Sequence, residues 1–464
     1  MSEVCSEECL EITLGYDYNY THILENQCVL PVITAAEPDI LPFLKTSNSS
    51  IFECPLYSSP MIVQHPEEGA AQFVHPSQRN LGYYRCSVDY LNGTEDTLAT
   101  FDDEIDIDSP VYTVKCTDKD GKTIYHDVYS NLKPFKTPLR YSTANSQGVE
   151  KPSVLMILID GITGNSFQRE MTITKEFLER RNAAFMKGFN RHSVHSSKNI
   201  FAMLTGKVFE PAKNDLNTTM PDLMQLSKSR LQNSSTAGWI FESARNAGYI
   251  THFNDDSDFL KKFDGMNSEV ELPVDVSLRF ATYFKDRSTF SVNLISASTQ
   301  FFGVLSEIDE HLSNTLVNLD LNGVLDNTII ILSSTQVATF GPIPHTITGN
   351  LENRFPPLAI SLPKGFVEKS PEKYGNLKRN ENRLTTYFDV YETLRDIMGS
   401  ERETFGMSLF REISGIRTCG DTYTTDEHCG CMEKIQTDQV FELEDEVKFV
   451  KDNRTSNCVV RLPE

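Results

Sequence analysis

An uninterrupted apolar run at residues 154–159 constrains the fold of this chain more than any other stretch. Pro152 precedes the run and Asp160 closes it, which is the pattern of a strand buried on both faces of a sheet. Strand-like and helix-like stretches then alternate along residues 151–415. This alternation predicts an α/β fold with a central, mostly parallel sheet and helices on both of its faces.

The individual elements follow from the spacing of apolar residues and from turn signals. Five strands are predicted in the core, at residues 153–159, 249–253, 290–295, 327–332 and 358–362. Five helices are predicted between them, at residues 175–182, 199–204, 236–247, 301–324 and 384–398. Before the core, residues 111–116 and 123–128 alternate like two strands of a hairpin.

Ten cysteines occupy only the two ends of the chain and leave residues 117–418 free of cysteine. An even number confined to two flanks predicts disulfides around a cysteine-free core, with pairing inside each flank as the simplest arrangement. A zinc site is the alternative for the last cluster, but its cysteine-x-cysteine spacing matches zinc ligands poorly. The disulfide candidates are Cys5, Cys9, Cys28, Cys54, Cys86, Cys116, Cys419, Cys429, Cys431 and Cys458; the zinc alternative uses Cys419, His428, Cys429 and Cys431.

The cysteines divide the chain of 464 residues into three regions. We expect a disulfide-rich N-terminal region at 1–150, an α/β core at 151–415 and a cysteine-containing tail at 416–464. The polar stretch 134–152 suits a linker. The acidic run 102–108 lacks the glycine and glutamate of an EF-hand loop, which favours a solvated turn over a calcium site.

Six N-glycosylation sequons point to the same compartment as the cysteines. Together they predict an extracellular or secretory-lumen location, with a signal peptide or anchor absent from this chain. No apolar stretch is long enough for a transmembrane helix. The net charge of −22 disfavours nucleic acid as a partner. The glycosylation candidates are Asn19, Asn48, Asn92, Asn217, Asn233 and Asn453.

In α/β sheets, functional residues gather at the carboxyl ends of the strands. Three polar sites of this chain follow predicted strands or precede a predicted helix. Asp160 suits a metal ligand, with a capping residue as the alternative. The serines of residues 192–197 precede a predicted helix, where a hydroxyl suits a nucleophile, although a helix N-cap is the more common role of such a hydroxyl. The pair Asp255 and Asp256 suits either a metal site or an exposed loop.

Several stretches, in this order, resemble the alkaline phosphatase-like superfamily. More narrowly, the chain resembles a sulfatase-like family of unknown function that is expanded in invertebrates. The resemblance implies that Asp160 is a metal-ligand position, that Ser196 is the nucleophile position, and that Asp256 and His345 are remaining ligand positions. The stretches that carry it are 151–160, 167–169, 187–190, 199–206, 248–251, 349–356, 385–394, 419–421 and 429–431.

The departures from the family pattern change the predicted function. Where the resemblance implies an Asp-His pair, the chain has Thr335 and Gln336. Where it implies a histidine-containing metal segment, residues 296–300 include Ser298 but neither histidine nor carboxylate. A hydroxyl and an amide are poor replacements for a carboxylate and an imidazole on a divalent cation.

The sequence therefore predicts a pseudoenzyme, namely a secreted or cell-surface glycoprotein that uses a hydrolase fold as a binding scaffold. Its expected partner is an unidentified extracellular protein or glycan, and no cofactor is expected. One alternative is a weak phosphate- or sulfate-ester hydrolase that holds a single zinc or calcium ion with Asp160, Ser196, Asp256 and His345. A second alternative is a structural component of the extracellular matrix.

Overall fold

The computed structural model describes thirteen stretches of the chain. The described residues are 28–44, 62–65, 70–73, 84–90, 99–101, 104–106, 111–130, 151–208, 238–255, 271–295, 304–335, 341–399 and 405–432.

Two antiparallel sheets form before the core. The first has the order β1-β2-β5 and the second the order β4-β3-β6-β7. The predicted hairpin is confirmed, with β6 and β7 as its two strands. The strands are β1 (Ile62–His65), β2 (Ala70–Phe73), β3 (Tyr84–Tyr90), β4 (Ala99–Phe101), β5 (Glu104–Asp106), β6 (Val111–Asp118) and β7 (Thr123–Ser130).

A six-stranded sheet forms the core, in the order β11-β12-β8-β13-β14-β9. The first four strands in this order are parallel to one another, and β14 and β9 are antiparallel to their neighbours. A short parallel pair, β10 with β15, lies outside this sheet. The strands are β8 (Ser153–Ile159), β9 (Ala184–Phe185), β10 (Phe189–Asn190), β11 (Ile250–Asp255), β12 (Thr289–Ile295), β13 (Thr328–Ser333), β14 (Leu358–Ser361) and β15 (Thr385–Thr386).

Eleven α-helices are present within the described stretches, most of them flanking the core sheet. They are α1 (Leu41–Leu44), α2 (Gly164–Glu170), α3 (Thr172–Arg180), α4 (Ser196–Thr205), α5 (Ile240–Asn246), α6 (Glu271–Tyr283), α7 (Val304–Leu321), α8 (Ile347–Glu352), α9 (Lys364–Lys369), α10 (Pro371–Arg379) and α11 (Tyr387–Ile397). None of these helices combines the length and the apolar composition required to cross a membrane.

The central strand β8 explains why the sheet is covered on both faces. Successive side chains of a strand point to opposite faces. Val154, Met156 and Leu158 accordingly pack into one apolar cluster, together with α4 and α11. Leu155 and Ile157 pack into a second cluster with α2, α3 and α7. The predicted α/β architecture is therefore confirmed.

The predicted elements agree with the structure in type and differ at their ends. The helix predicted at 236–247 begins only at Ile240, after the left-handed Gly238. Helix α6 was not predicted, although it packs against β11 and β12. Pro273 is the third residue of this helix, a position in the first turn where proline is tolerated. In the sequence alone, the proline obscures the helical pattern.

Three disulfides correct the simplest expectation about cysteine pairing. Two of them stay within a flank, but one joins the N-terminal and C-terminal flanks over 403 residues. The bonds are Cys28–Cys431, Cys86–Cys116 and Cys419–Cys429. The zinc alternative is wrong, because all three of its cysteines are consumed by disulfides. Cys5, Cys9, Cys54 and Cys458 lie outside the described residues.

The N-terminal segment 28–44 packs against the core beside the inter-flank disulfide. Val29 pairs with Met432 in an antiparallel bridge. Arg169 of α2 donates to the carbonyl of Ala35, and the backbone of Thr348 donates to the Asp39 carboxylate at 3.0 Å. Both ends of the described chain are therefore anchored next to the helices that surround the core sheet.

Candidate functional site

The carboxyl ends of β8 and β13 bring two polar side chains together. Leu158 of β8 pairs with Ser333 of β13. Continuing this register by two residues places Asp160 opposite Thr335. The chain leaves β8 sharply at Gly161, whose φ of +81° lies in the left-handed region that glycine tolerates.

Asp160, Thr335 and Ser196 form a closed triangle of polar contacts, in which the two hydroxyl protons can both be donated to the carboxylate. The Ser196 hydroxyl lies 3.0 Å from Oδ2 of Asp160 and 2.8 Å from the Thr335 hydroxyl. The Thr335 hydroxyl donates a short hydrogen bond to Oδ1 of Asp160. Asp160 is 5% exposed and Thr335 is fully buried. Each carboxylate oxygen of Asp160 thus accepts a hydrogen bond from a neutral hydroxyl.

The structure excludes the capping roles that the sequence left open. His195, not Ser196, is the N-cap of α4, and Ser196 is the first helical residue. Helix α2 is capped by Thr163 in a capping box with Ser166, so Asp160 does not cap it. The side chains of Ser196 and Asp160 are therefore directed at each other instead of at helix ends.

Asn199 fixes the position of Thr335 from within α4. It is 1% exposed, and its amide donates to the Thr335 carbonyl at 2.7 Å. The same amide donates to the Ser193 carbonyl, and its oxygen accepts from the Ser193 backbone at 2.9 Å. This buried amide therefore ties the loop before α4 to the end of β13.

Tyr387, the first residue of α11, contacts the chain next to Thr335. Its hydroxyl donates to the Ser334 carbonyl at 2.7 Å. Burial raises the pKa of Tyr387 well above its ordinary value, the charge of Asp160 raises it further, and Arg191 lowers it. Tyr387 therefore stays a neutral hydrogen-bond donor that faces both Asp160 and Arg191.

The histidines near Ser196 do not serve it as a base. His195 is exposed, and His192 packs edge-on against Phe388 at 5.1 Å between ring centroids. Among the described residues, the hydrogen-bond partners of the Ser196 hydroxyl are Asp160 and Thr335. The arrangement can hold a buried carboxylate, but it provides no imidazole to activate the hydroxyl.

The described residues around Asp160 do not fit a divalent metal ion. Within the described ranges, Asp160 and His345 belong to no cluster of three or more His, Cys, Asp and Glu side chains. His345 is exposed on a short turn, Ile343–His345. Zinc and calcium need several nitrogen, sulfur or anionic oxygen ligands, which one carboxylate and two neutral hydroxyls do not supply.

Several predicted positions lie outside the described residues. These are the ligand position Asp256, the degenerate positions Gln336 and Ser298, and the sequons at Asn19, Asn48, Asn92, Asn217, Asn233 and Asn453. Their predicted roles stay predictions.

Three site residues were not singled out from the sequence, namely Asn199, Tyr387 and Arg191. A polar Asn199 inside the apolar stretch 199–204 was a usable signal, since buried polar side chains are hydrogen-bonded. Arg191 carried no such signal, because its neighbours come from segments distant in sequence.

Three of the solved structures that match part of this chain are the following. A protein of that superfamily from Vibrio parahaemolyticus is 12% identical, with 57% of this chain and 71% of that chain covered and a TM-score of 0.40. The phosphonate monoester hydrolase SpPMH from Silicibacter pomeroyi is 12% identical, with coverage of 57% and 78% and a TM-score of 0.38. The lipoteichoic acid synthase LtaP from Listeria monocytogenes is 10% identical, with coverage of 57% and 76% and a TM-score of 0.37.

At the sequence level, no curated protein is significantly similar to the chain. The family described as "protein of unknown function (DUF229)" matches residues 84–279 and 265–450. These matches span most of the chain, including the core sheet, the triangle of Asp160, Ser196 and Thr335, and the disulfide-bonded tail. The chain therefore belongs to the DUF229 family of proteins of unknown function.

Proposed function

We propose that this protein is a non-catalytic member of its fold that acts as a binding scaffold. The observation that carries the proposal is the hydrogen-bonded triangle at the end of β8. Asp160, the predicted metal-ligand position, is engaged through both oxygens by Ser196 and Thr335. A nucleophile needs an adjacent base, a lowered pKa or a metal to become reactive, and here the Asp160 carboxylate is already hydrogen-bonded to Thr335 and no described imidazole contacts Ser196.

The charge of the protein narrows the class of partner. A net charge of −22 disfavours nucleic acid, which leaves an extracellular protein or a glycan as the proposed partner. Three disulfides among the described residues support an oxidising compartment, the extracellular space or the secretory lumen. Modification at the six sequons belongs to the same proposal.

A weak ester hydrolase is the second candidate, and one observation favours it. The Ser196 hydroxyl lies at the N-terminus of α4, where the helix dipole stabilises negative charge. It also lies 3.0 Å from a carboxylate that can accept its proton. This candidate predicts slow turnover that depends on both Ser196 and Asp160.

One experiment separates the two candidates. Metal content of the purified full-length chain is measured by elemental analysis, beside turnover of nitrophenyl phosphate and nitrophenyl sulfate. We expect no stoichiometric zinc or calcium and the same rates for the wild type, Ser196→Ala and Asp160→Ala. One tightly held metal per chain, with turnover abolished by Asp160→Ala, would overturn the scaffold proposal in favour of the hydrolase.

A further inference from the structure

Four basic side chains from three separate segments meet beside the candidate site. We call Arg191, His192, Arg354 and His428 the basic cluster. The Arg191 backbone donates to the Arg354 carbonyl at 2.9 Å. The Asn190 amide donates to the His428 carbonyl at 2.7 Å, which ties the C-terminal tail to the end of β10. These contacts hold the segments after β10, after α8 and before Cys429 together.

The tail is seated tightly at this point. The Gly430 backbone donates to the Asn190 side-chain oxygen at 2.7 Å. A Cβ atom at Gly430 would overlap the Phe355 ring, so that only glycine permits this approach. The Arg354 guanidinium also donates a short hydrogen bond to the Cys429 carbonyl. The basic cluster is therefore a fixed feature of the fold.

Arg191, His192 and His428 each have a buried nitrogen atom without a hydrogen-bond partner among the described residues. These atoms are Nε of Arg191, Nδ1 of His192 and Nδ1 of His428. The Arg191 guanidinium makes no hydrogen bond or ion pair with any described residue, and His428 is only 8% exposed. Buried polar groups are ordinarily hydrogen-bonded, and an unpartnered charge is especially costly.

The basic groups repel one another instead of being neutralised. Burial first, and then Arg354, lowers the pKa of Arg191 to about 10. Burial lowers the pKa of His428, and the charges of Arg191 and Arg354 lower it further. The carboxylate of Glu427, an exposed residue, opposes this repulsion and raises the pKa values of both arginines and of His428.

His192 is subject to the same repulsion from a different side. Burial lowers its pKa most, followed by the charge of His428, and Lys198 of α4 lowers it slightly. The backbone of Tyr423 acts in the opposite direction, and the Phe388 ring that packs on His192 carries no charge. The groups that face the two imidazoles are thus mostly cationic.

We propose that the basic cluster is a binding site for a tetrahedral oxyanion, a phosphate or sulfate group, held by Arg191 and the two histidines. Such a group offers several acceptor oxygens to a planar guanidinium fork and to separate ring nitrogens. It would provide partners for the three buried nitrogens and offset the repulsion among the cations. The proposed site includes neither Asp160 nor Ser196, so the proposal does not depend on whether Ser196 is reactive.

The histidines give the site a distinctive dependence on pH. Both are mostly neutral at neutral pH because their pKa values are lowered. A bound anion favours their protonated forms, and by linkage protonation strengthens anion binding. Affinity is therefore expected to rise as the pH falls through the histidine range.

Calorimetric titration of the full-length chain with inorganic sulfate and inorganic phosphate tests the site, at about pH 5.5 and about pH 7.5. Sulfate keeps its charge over this range, so any change in its affinity comes from the protein. We expect binding of both anions that strengthens toward the lower pH. A preference for one anion identifies which group the site takes.

Variants locate the binding. Arg191→Gln is expected to weaken anion binding about tenfold or more, and Arg191→Lys, which keeps the charge but not the fork, by less. His428→Gln should remove much of the pH dependence. Arg180→Gln, on the exposed end of α3, is the matched control and should bind like the wild type.

A second readout covers variants that lose stability. Sulfate should raise the unfolding temperature of the wild type and of Arg180→Gln, but not that of Arg191→Gln. Equal anion affinity in the wild type and Arg191→Gln would overturn the proposal, as would the absence of binding of either anion to the wild type at both pH values. A third outcome is also informative. If the wild type hydrolyses the nitrophenyl esters and Arg191→Gln loses anion binding, the proposal of a non-catalytic function is overturned but the anion site is supported.

Discussion

The hydroxyl of Thr335 stabilises a buried carboxylate, and removing it measures the strength of the triangle. Thr335→Val keeps the branched shape of the side chain and deletes the hydroxyl, which donates to Oδ1 of Asp160 and also contacts the Ser196 hydroxyl at 2.8 Å. Thr335 and Asp160 are almost completely buried, at 0% and 5% exposure. Water is therefore poorly placed to replace the lost hydrogen bond.

The expected loss follows from the charge of the acceptor. A hydrogen bond to a charged group contributes about 1.5–3 kcal/mol, against about 1 kcal/mol for a neutral pair. Ser196 remains at 3.0 Å from the other carboxylate oxygen, so Asp160 keeps one of the two bonds of the triangle. We expect Thr335→Val to lower the free energy of unfolding by about 2 kcal/mol.

The chain contains a matched control and a convenient probe. Thr385 is also fully buried, but its hydroxyl has no hydrogen-bond partner among the described residues, so Thr385→Val should be neutral or stabilising. Urea unfolding is followed by the fluorescence of Trp239, the single tryptophan. Its ring packs edge-on against Phe201 of α4, the helix that carries Ser196, at 6.1 Å between ring centroids.

A double-mutant cycle separates the hydrogen bond from general packing effects. Asp160→Asn removes the charge, and its combination with Thr335→Val should show a coupling of about 0.5–3 kcal/mol. If Thr335→Val costs no more than Thr385→Val, the hydroxyl does not stabilise the carboxylate. That result would refute the reasoning and remove the observation on which the non-catalytic function rests.

Two further predictions concern buried charges. Arg169→Met is expected to lower the free energy of unfolding by about 3–5 kcal/mol, because Glu352, at 2% exposure, would lose its bidentate partner at 2.7 and 3.1 Å. Thermal unfolding measures this change in stability. A loss of stability no larger than the ~1 kcal/mol typical of an exposed ion pair would contradict the prediction. Burial lowers the pKa of His252 from 6.5 to about 4, so stability should be complete above about pH 6.5 and fall as the pH decreases toward 4. In His252→Phe, the free energy of unfolding measured with urea should depend less on pH across this range. An unchanged pH dependence would show that His252 does not cause the loss of stability.

The sequence predicted the core because its signals are local. Residues 154–159 are apolar at every position, and such a run between a proline and a carboxylate favours a strand buried on both faces. The structure confirms this, since alternate residues of β8 enter two different apolar clusters. The fold could therefore be inferred without knowledge of any long-range contact.

Contacts between segments distant in sequence could not be predicted from these local patterns. The Cys28–Cys431 bond joins residues separated by 403 positions, and spacing alone does not determine such a pairing. The sequence identified Thr335 as a poor metal ligand but not as a donor to Asp160. That contact depends on the register between β8 and β13, which the apolar pattern of either strand leaves undetermined.

The two polar sites differ in how their charge is balanced, and this difference argues for separate roles. At Asp160, a buried carboxylate would be destabilising if left alone, but two hydroxyls of the same chain donate hydrogen bonds to it. The fold can therefore persist there without an ion. At Arg191, the only opposing carboxylate among the described residues is the exposed Glu427, which forms no ion pair with it, and buried nitrogens of Arg191, His192 and His428 stay unpartnered. A carboxylate that its own chain already hydrogen-bonds gains little from a ligand, whereas a site that leaves several buried nitrogens unpartnered gains most from binding an anion.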